Sequence, residues 1–84
     1  MSDEELDLRG LKCPLPALLA RRALMRAETG AIIAVLVDDP MAPIDVPHMC
    51  RSEGFEFLEE KRAQTYVRLR LRKPARVGGN PLTD

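Results

Sequence analysis

Residues 31 to 37 read AIIAVLV, seven apolar residues without a break. A strand with one wet face would alternate, and this one does not. Its length and β-branched content predict a central strand, covered on at least one side by other elements. In a chain of 84 residues that demand organises the rest. Such a chain buries only roughly 60% of its unfolded surface, so it holds one domain with one modest core. Phe55, Phe57 and Tyr66 are its only aromatic residues, so the core must be aliphatic.

The flanking segments supply the cover. Leu6 and Leu8 alternate with Asp7 and Arg9, a short half-buried strand that Gly10 ends. From Pro14 to Glu28 the spacing is helical. Leu19, Ala20, Ala23, Leu24 and Ala27 share one side of a 3.6-residue wheel; Arg21, Arg22, Arg26 and Glu28 share the other. Pro14 suits the first helical position and Pro16 is tolerated in the same turn, while Gly30 marks the stop. Asp38-Asp39-Pro40 breaks the apolar run. A second, short helix, punctuated by Pro43 and Pro47 and ending at Gly54, would bury Val46, Met49 and Cys50. Residues 55 to 72 predict a hairpin turning at Ala63. Phe55, Phe57, Val67, Leu69 and Leu71 then share a packed face, and Glu56, Glu60, Tyr66, Arg68, Arg70 and Arg72 a wet one.

The order is strand, helix, strand, helix, strand, strand. Right-handed crossovers place both helices on one face of the sheet. The expected architecture is therefore a member of the α/β class, an α+β two-layer sandwich with a mixed four-stranded sheet and arginines on its open face. The domain is expected to span residues 1 to 73. Residues 74 to 84, PARVGGNPLTD, show no periodicity and are expected to form a flexible tail.

Thirteen basic residues balance thirteen acidic ones. That balance argues against a dedicated nucleic-acid module, and Tyr66 is the only stacking residue expected on the arginine face. Arg68, Arg70 and Arg72, part-neutralised by Glu56 and Glu60, read as a solvated charged face. No run approaches the roughly 18 apolar residues of a membrane span. MSDEELDL lacks the pattern of a signal peptide, so a cytoplasmic protein with reduced thiols is expected. No Cys-x-x-Cys pair suggests a metal site, and no cofactor is called for.

The segment RGLKCPLPALLARRALMRA, residues 9 to 27, sets Cys13 where a loop becomes a helix. Unpaired N–H groups and the positive end of the helix dipole would face a thiolate at the N-cap. Such positions lower a cysteine pKa to between roughly 3.5 and 7.5. Cys13 is accordingly expected to be exposed, ionised and nucleophilic, with Gly10, Lys12, Pro14 and Pro16 supporting the helix start. Beside it Leu15 and Leu18, rimmed by Arg22 and Arg26, form a candidate docking patch. Cys50 reads as a small buried hydrophobe and His48 as a surface residue. Asp38, Asp39 and Asp45 read as loop and helix-start residues that complement the dipole of the second helix.

LDLRGLKCPLP, with Cys-Pro-x-Pro opening the first helix, resembles the signature of the TusA (SirA-like) sulfur-carrier family. The likeness continues through VDDP, residues 37 to 40, and IDVPHMC, residues 44 to 50, to Gly54, and covers roughly residues 6 to 73. It implies a small α/β sandwich similar to the C-terminal domain of translation initiation factor three. It implies that Cys13 carries sulfane sulfur as a persulfide, received from a cysteine desulfurase or rhodanese and passed to an acceptor protein. Settings that it implies are tRNA thiolation, cofactor synthesis and sulfur oxidation. No self-sufficient Cys-His-acid set is evident, which suits a shuttle, and a monomer suits one that visits two partners. Two alternatives use the same fold: a non-catalytic regulatory or protein-interaction module, and a thiol redox module using Cys13 and Cys50.

Overall fold

The computed structural model of the chain describes residues 4–75. The tail expected from residue 74 lies, from residue 76 onward, outside the described residues. The elements are β1 (Glu4–Asp7), α1 (Leu15–Arg26), β2 (Ile32–Val37), α2 (Ala42–Glu53), β3 (Glu56–Arg62) and β4 (Val67–Arg72). The sheet order is β1-β2-β4-β3, with β1 parallel to β2 and β4 antiparallel to both β2 and β3. This is the expected mixed four-stranded sheet under two helices.

β2 lies inside the sheet, and its register explains the unbroken apolar run. Ile33, Val35 and Val37 stand opposite Leu71, Leu69 and Val67. All six belong to the core, which Ala20 and Leu24 of α1 and Ala42, Val46, Met49 and Cys50 of α2 complete. The second face of β2 is Ile32, Ala34 and Leu36, opposite Arg72, Arg70 and Arg68. Ala34 is fully buried there, on the side that carries no helix. Arginine stems are apolar for most of their length, so an arginine row can cover a strand face and still keep its charges in water. The charges are paired across strands: Arg68 with Glu5 at 3.1 Å, Arg70 with Glu59 at 3.4 Å and Arg72 with Glu56 at 2.6 Å.

The helix faces follow the wheel. Ala20 and Leu24 are buried, and Ala17, Leu19, Ala23 and Ala27 pack against the core. α1 ends earlier than expected, with Ala27 as its cap rather than a stop at Gly30. Lys73 is the reason: its ammonium donates to the carbonyls of Met25 and Ala27, at 3.1 and 2.9 Å, and satisfies the helix end. Gly30, with φ of +88°, instead forms the turn into β2. α2 is not short; at 12 residues it matches α1 and includes Pro47. It stops at Gly54, whose φ of +84° is the left-handed cap that glycine adopts at least cost.

The hairpin departs from its expected register. Ala63 N–H bonds to the Tyr66 carbonyl at 2.8 Å, so the turn is residues 63–66 and not centred on Ala63. A shift in register between Phe57 and Glu59 makes Leu58 the extra residue of a bulge. Phe57 still pairs with Leu71, but on this edge strand it is 36% exposed rather than packed. Beyond the bulge the faces exchange. Glu60 pairs with Leu69, so Glu59 takes the wet-face position expected for Glu60.

Leu69 is fully buried and Leu18 is 52% exposed. Leu69→Ala is expected to lower stability by about 2–5 kcal/mol, and Leu18→Ala to change it by about 0.5 kcal/mol or less. Urea unfolding followed by circular dichroism checks both.

Candidate functional site

β1 and β2 run in parallel, and β3 runs alongside them across the antiparallel β4, so all three end on one side of the molecule. The connections gathered there are tied together. Gly10 N–H donates to Asp38 Oδ1 at 2.9 Å, holding the segment after β1 to the segment after β2. Arg9 lies over the Tyr66 ring at 5.4 Å, reaching the hairpin turn. Asp7 accepts from the Arg9 backbone and guanidinium, which hold its carboxyl down at about 2. Gly10 itself has φ of +88°, a left-handed conformation that lets the chain turn toward Cys13.

Cys13 is exposed and free. It sits at the mouth of a groove between α1 and α2, together with Pro14, Ala17, Leu18, Arg21, Asp45, His48, Met49 and Glu53. It is not the N-cap. The first intrahelical bond runs from Leu18 N–H to the Pro14 carbonyl at 3.1 Å, which makes Pro14 the cap and Leu15 the first helical residue. The Cys13–Pro14 peptide is cis.

The expected ionised thiol is not what the geometry provides. Pro14 and Pro16 have no N–H, and that of Leu15 is taken by the Lys12 carbonyl at 2.8 Å. The opening of α1 is therefore depleted of the amides that would hold a thiolate. The Cys13 thiol instead donates to Asp45 Oδ2 at 2.7 Å. That hydrogen bond, partial desolvation, and the negative charges of Asp45 and Asp39 push the Cys13 pKa above the ordinary thiol value. In the free protein Cys13 is thus an exposed thiol whose ionisation is disfavoured.

The three aspartates separate in role. Asp38 ties the loops, and Asp39 Oδ2 accepts the Met41 N–H at 3.1 Å just ahead of α2. Asp45, in the first turn of α2, faces Cys13 rather than capping its own helix. Sequence reasoning missed this pairing. The acid was visible as a dipole partner, but no spacing pattern links positions 32 residues apart.

The candidate docking residues line more than one groove. Leu18 lines the groove with Cys13, and Leu15 is exposed at the first turn. Arg22 and Arg26 line a separate groove between α1 and β1, with Leu6, Leu8 and Leu19. The wheel placed them on the far side of α1, and in three dimensions that side leads to the sheet edge. Lys12 and Gly10 line a hollow beside Asp38 and Asp39. His48 is exposed and lines the Cys13 groove. Among the described residues no group of three or more His, Cys, Asp or Glu side chains is placed to hold a metal ion. Nor is any helix among them long and apolar enough to cross a membrane.

Comparison with known proteins places this geometry in context. The sequence profile described as Sulfurtransferase TusA matches residues 4–73. Provisionally named sulfur carrier proteins of Neisseria meningitidis serogroups A and B are each 44% identical over 59 residues, 70% of this chain and 80% of theirs. One from Archaeoglobus fulgidus is 38% identical over 64 residues, 76% of this chain and 83% of its own. The crystal structure of a SirA-like protein from Desulfitobacterium hafniense shares the fold, with a TM-score of 0.65 at 23% identity over 83% of this chain and 96% of that one.

Cys50 is fully buried, and burial pushes its thiol up to about 11. A thiol-reactive disulfide reagent should therefore titrate one thiol in the folded protein and two after unfolding. Cys13→Ala should leave none accessible in the folded state, as read by absorbance of the released chromophore.

Proposed function

The chain belongs to the TusA sulfurtransferase family, and from that we propose that it is a sulfur carrier that holds sulfane sulfur as a persulfide on Cys13. The observation that carries this reading is an exposed free thiol lining an interhelical groove, in a chain that the family profile matches over residues 4–73. A carrier needs a thiol that two proteins can reach in turn, and little else.

The exchange balances without an oxidant. A donor protein presents its sulfur as R–S–SH. Cys13 sulfur attacks the outer sulfur, the donor S–S bond breaks, and its electron pair leaves on the donor thiolate. That thiolate takes up the proton lost from Cys13, giving R–SH and Cys13–S–SH. An acceptor thiol then repeats the step on the Cys13 persulfide and restores Cys13–SH. The moving atom keeps its oxidation state throughout.

Exposure of the sulfur supports partners that bring their own catalytic groups. The donor is a cysteine desulfurase or rhodanese, and the acceptor a downstream protein of tRNA thiolation, cofactor synthesis or sulfur oxidation. The chain works as a monomer in the cytoplasm, where thiols stay reduced. The domain of residues 1 to 73 carries the function, and Gly10, Lys12, Pro14 and Pro16 shape the segment that presents Cys13. Leu15 and Leu18 contribute apolar contact to docking partners, and Arg22 and Arg26, further along α1, a basic rim.

The test is intact mass after incubation of the reduced protein with a cysteine desulfurase and cysteine. One added sulfur atom is expected in the wild type and in Cys50→Ala, and none in Cys13→Ala. Loss of loading in Cys50→Ala as well would indicate a two-thiol relay, and the absence of any adduct would overturn the carrier reading.

A further inference from the structure

A nucleophile that must react with partner sulfur is, in the free protein, bonded to a carboxylate that opposes its ionisation. We propose that Asp45 is a latch on Cys13: it holds the thiol proton until a partner surface brings an arginine or lysine to Asp45 and releases it. The purpose of the latch rests on the sulfur-carrier reading; its chemistry does not.

Three observations carry it. The first is the 2.7 Å bond from the Cys13 thiol to Asp45 Oδ2, made at the surface where another protein can reach it. The second is the distribution of charge. Asp7, Glu5, Glu53, Glu56, Glu59 and Glu60 are in ion pairs within the fold. Among the described residues, Asp38, Asp39 and Asp45, at the Cys13 end, are in none; elsewhere the same holds only for Glu4 and Glu28. Arg21, in the same groove, is already bonded to Glu53 at 3.4 Å. The groups that face or flank the thiol are Asp45, His48, Arg21 and Glu53 along the groove, with Asp39 and Lys12 beside it. The third is the apolar surface around this end. Leu15 and Leu18 on α1, and Met41 and Ile44 at the start of α2, are each at least 44% exposed. The complementary partner is a protein surface with a basic side chain set among apolar contacts.

The release step is simple. A guanidinium or ammonium paired with Asp45 removes the acceptor of the thiol hydrogen bond and cancels the charge that disfavoured the thiolate. The proton passes to water and through it to the donor thiolate that the exchange releases. The sulfur lone pair is then free to attack the outer sulfur of the donor persulfide.

The latch is tested on the full chain by the rate of Cys13 alkylation with iodoacetamide, from neutral to strongly alkaline pH, with the adduct located by mass. Asp45→Asn should move the whole profile to lower pH and speed alkylation several-fold at neutral pH. Asp45→Ala, which leaves no polar group in place, should repeat the shift. A soluble peptide of arginine and leucine should speed alkylation of the wild type and leave Asp45→Asn unchanged. An unmoved profile in both variants, or one moved to higher pH, would overturn the latch. So would a peptide that does nothing to the wild type or affects both proteins equally. Alkylation reads the thiol whether or not sulfur is ever loaded, so its outcome is separate from that of the persulfide assay.

Discussion

Everything in this fold is arranged around hiding β2 on both faces with a single layer of helices. One face is conventional: Ile33, Val35 and Val37 meet the aliphatic residues of β4 and the two helices. The other has no helix to meet. It is lined instead by Arg68, Arg70 and Arg72, each paired with a glutamate from a neighbouring strand. Surface ion pairs contribute little to stability on their own. Their arginine stems matter more: Arg70 stands opposite Ala34, which is fully buried, and Arg68 reaches across β2 to Glu5. A charged face thus does the covering of a second layer, which a chain of this length has no residues to build.

The same constraint places the site. With β2 internal and β1 parallel to it, the segments that follow both strands emerge side by side. They are bonded to each other by Gly10 and Asp38. Each leads into a helix, so the openings of α1 and α2 become neighbours. Cys13 just ahead of one and Asp45 in the first turn of the other meet for that reason, although 32 residues separate them. The pairing is a consequence of topology and not of any local motif.

That explains what could be read from the residues and what could not. The helix faces, the central strand, the Gly54 stop and the arginine face follow from periodicity, which is local, and the structure has them. The Leu58 bulge was hidden because Phe57-Leu58 and Glu59-Glu60 keep the composition of an alternating strand while breaking its phase. The early end of α1 depends on Lys73, from the other end of the domain. The raised pKa of Cys13 departs from the expectation for a general helix opening. The dipole argument needs N–H groups, and Pro14 and Pro16 take away two while Lys12 occupies a third. Cys-Pro-x-Pro does open a helix, and its prolines also leave that opening with fewer amides to stabilise an anion.

A protonated resting thiol makes sense for a protein that travels between partners. Oxidants and stray electrophiles attack the thiolate, so a permanently ionised and exposed cysteine would be consumed between encounters. A persulfide is more acidic than a thiol, and its outer sulfur lies one bond further from Asp45. If Cys13 carries sulfur as proposed, the acid that restrains it would have less hold on the loaded form than on the empty one. An exposed cysteine whose thiol is bonded to a carboxylate is a poor nucleophile alone, and under the proposed latch it becomes a good one against a surface that brings a positive charge to that carboxylate. Under that proposal selectivity would need no lid or second catalytic group, because the reactivity would be divided between two proteins and complete only where they touch.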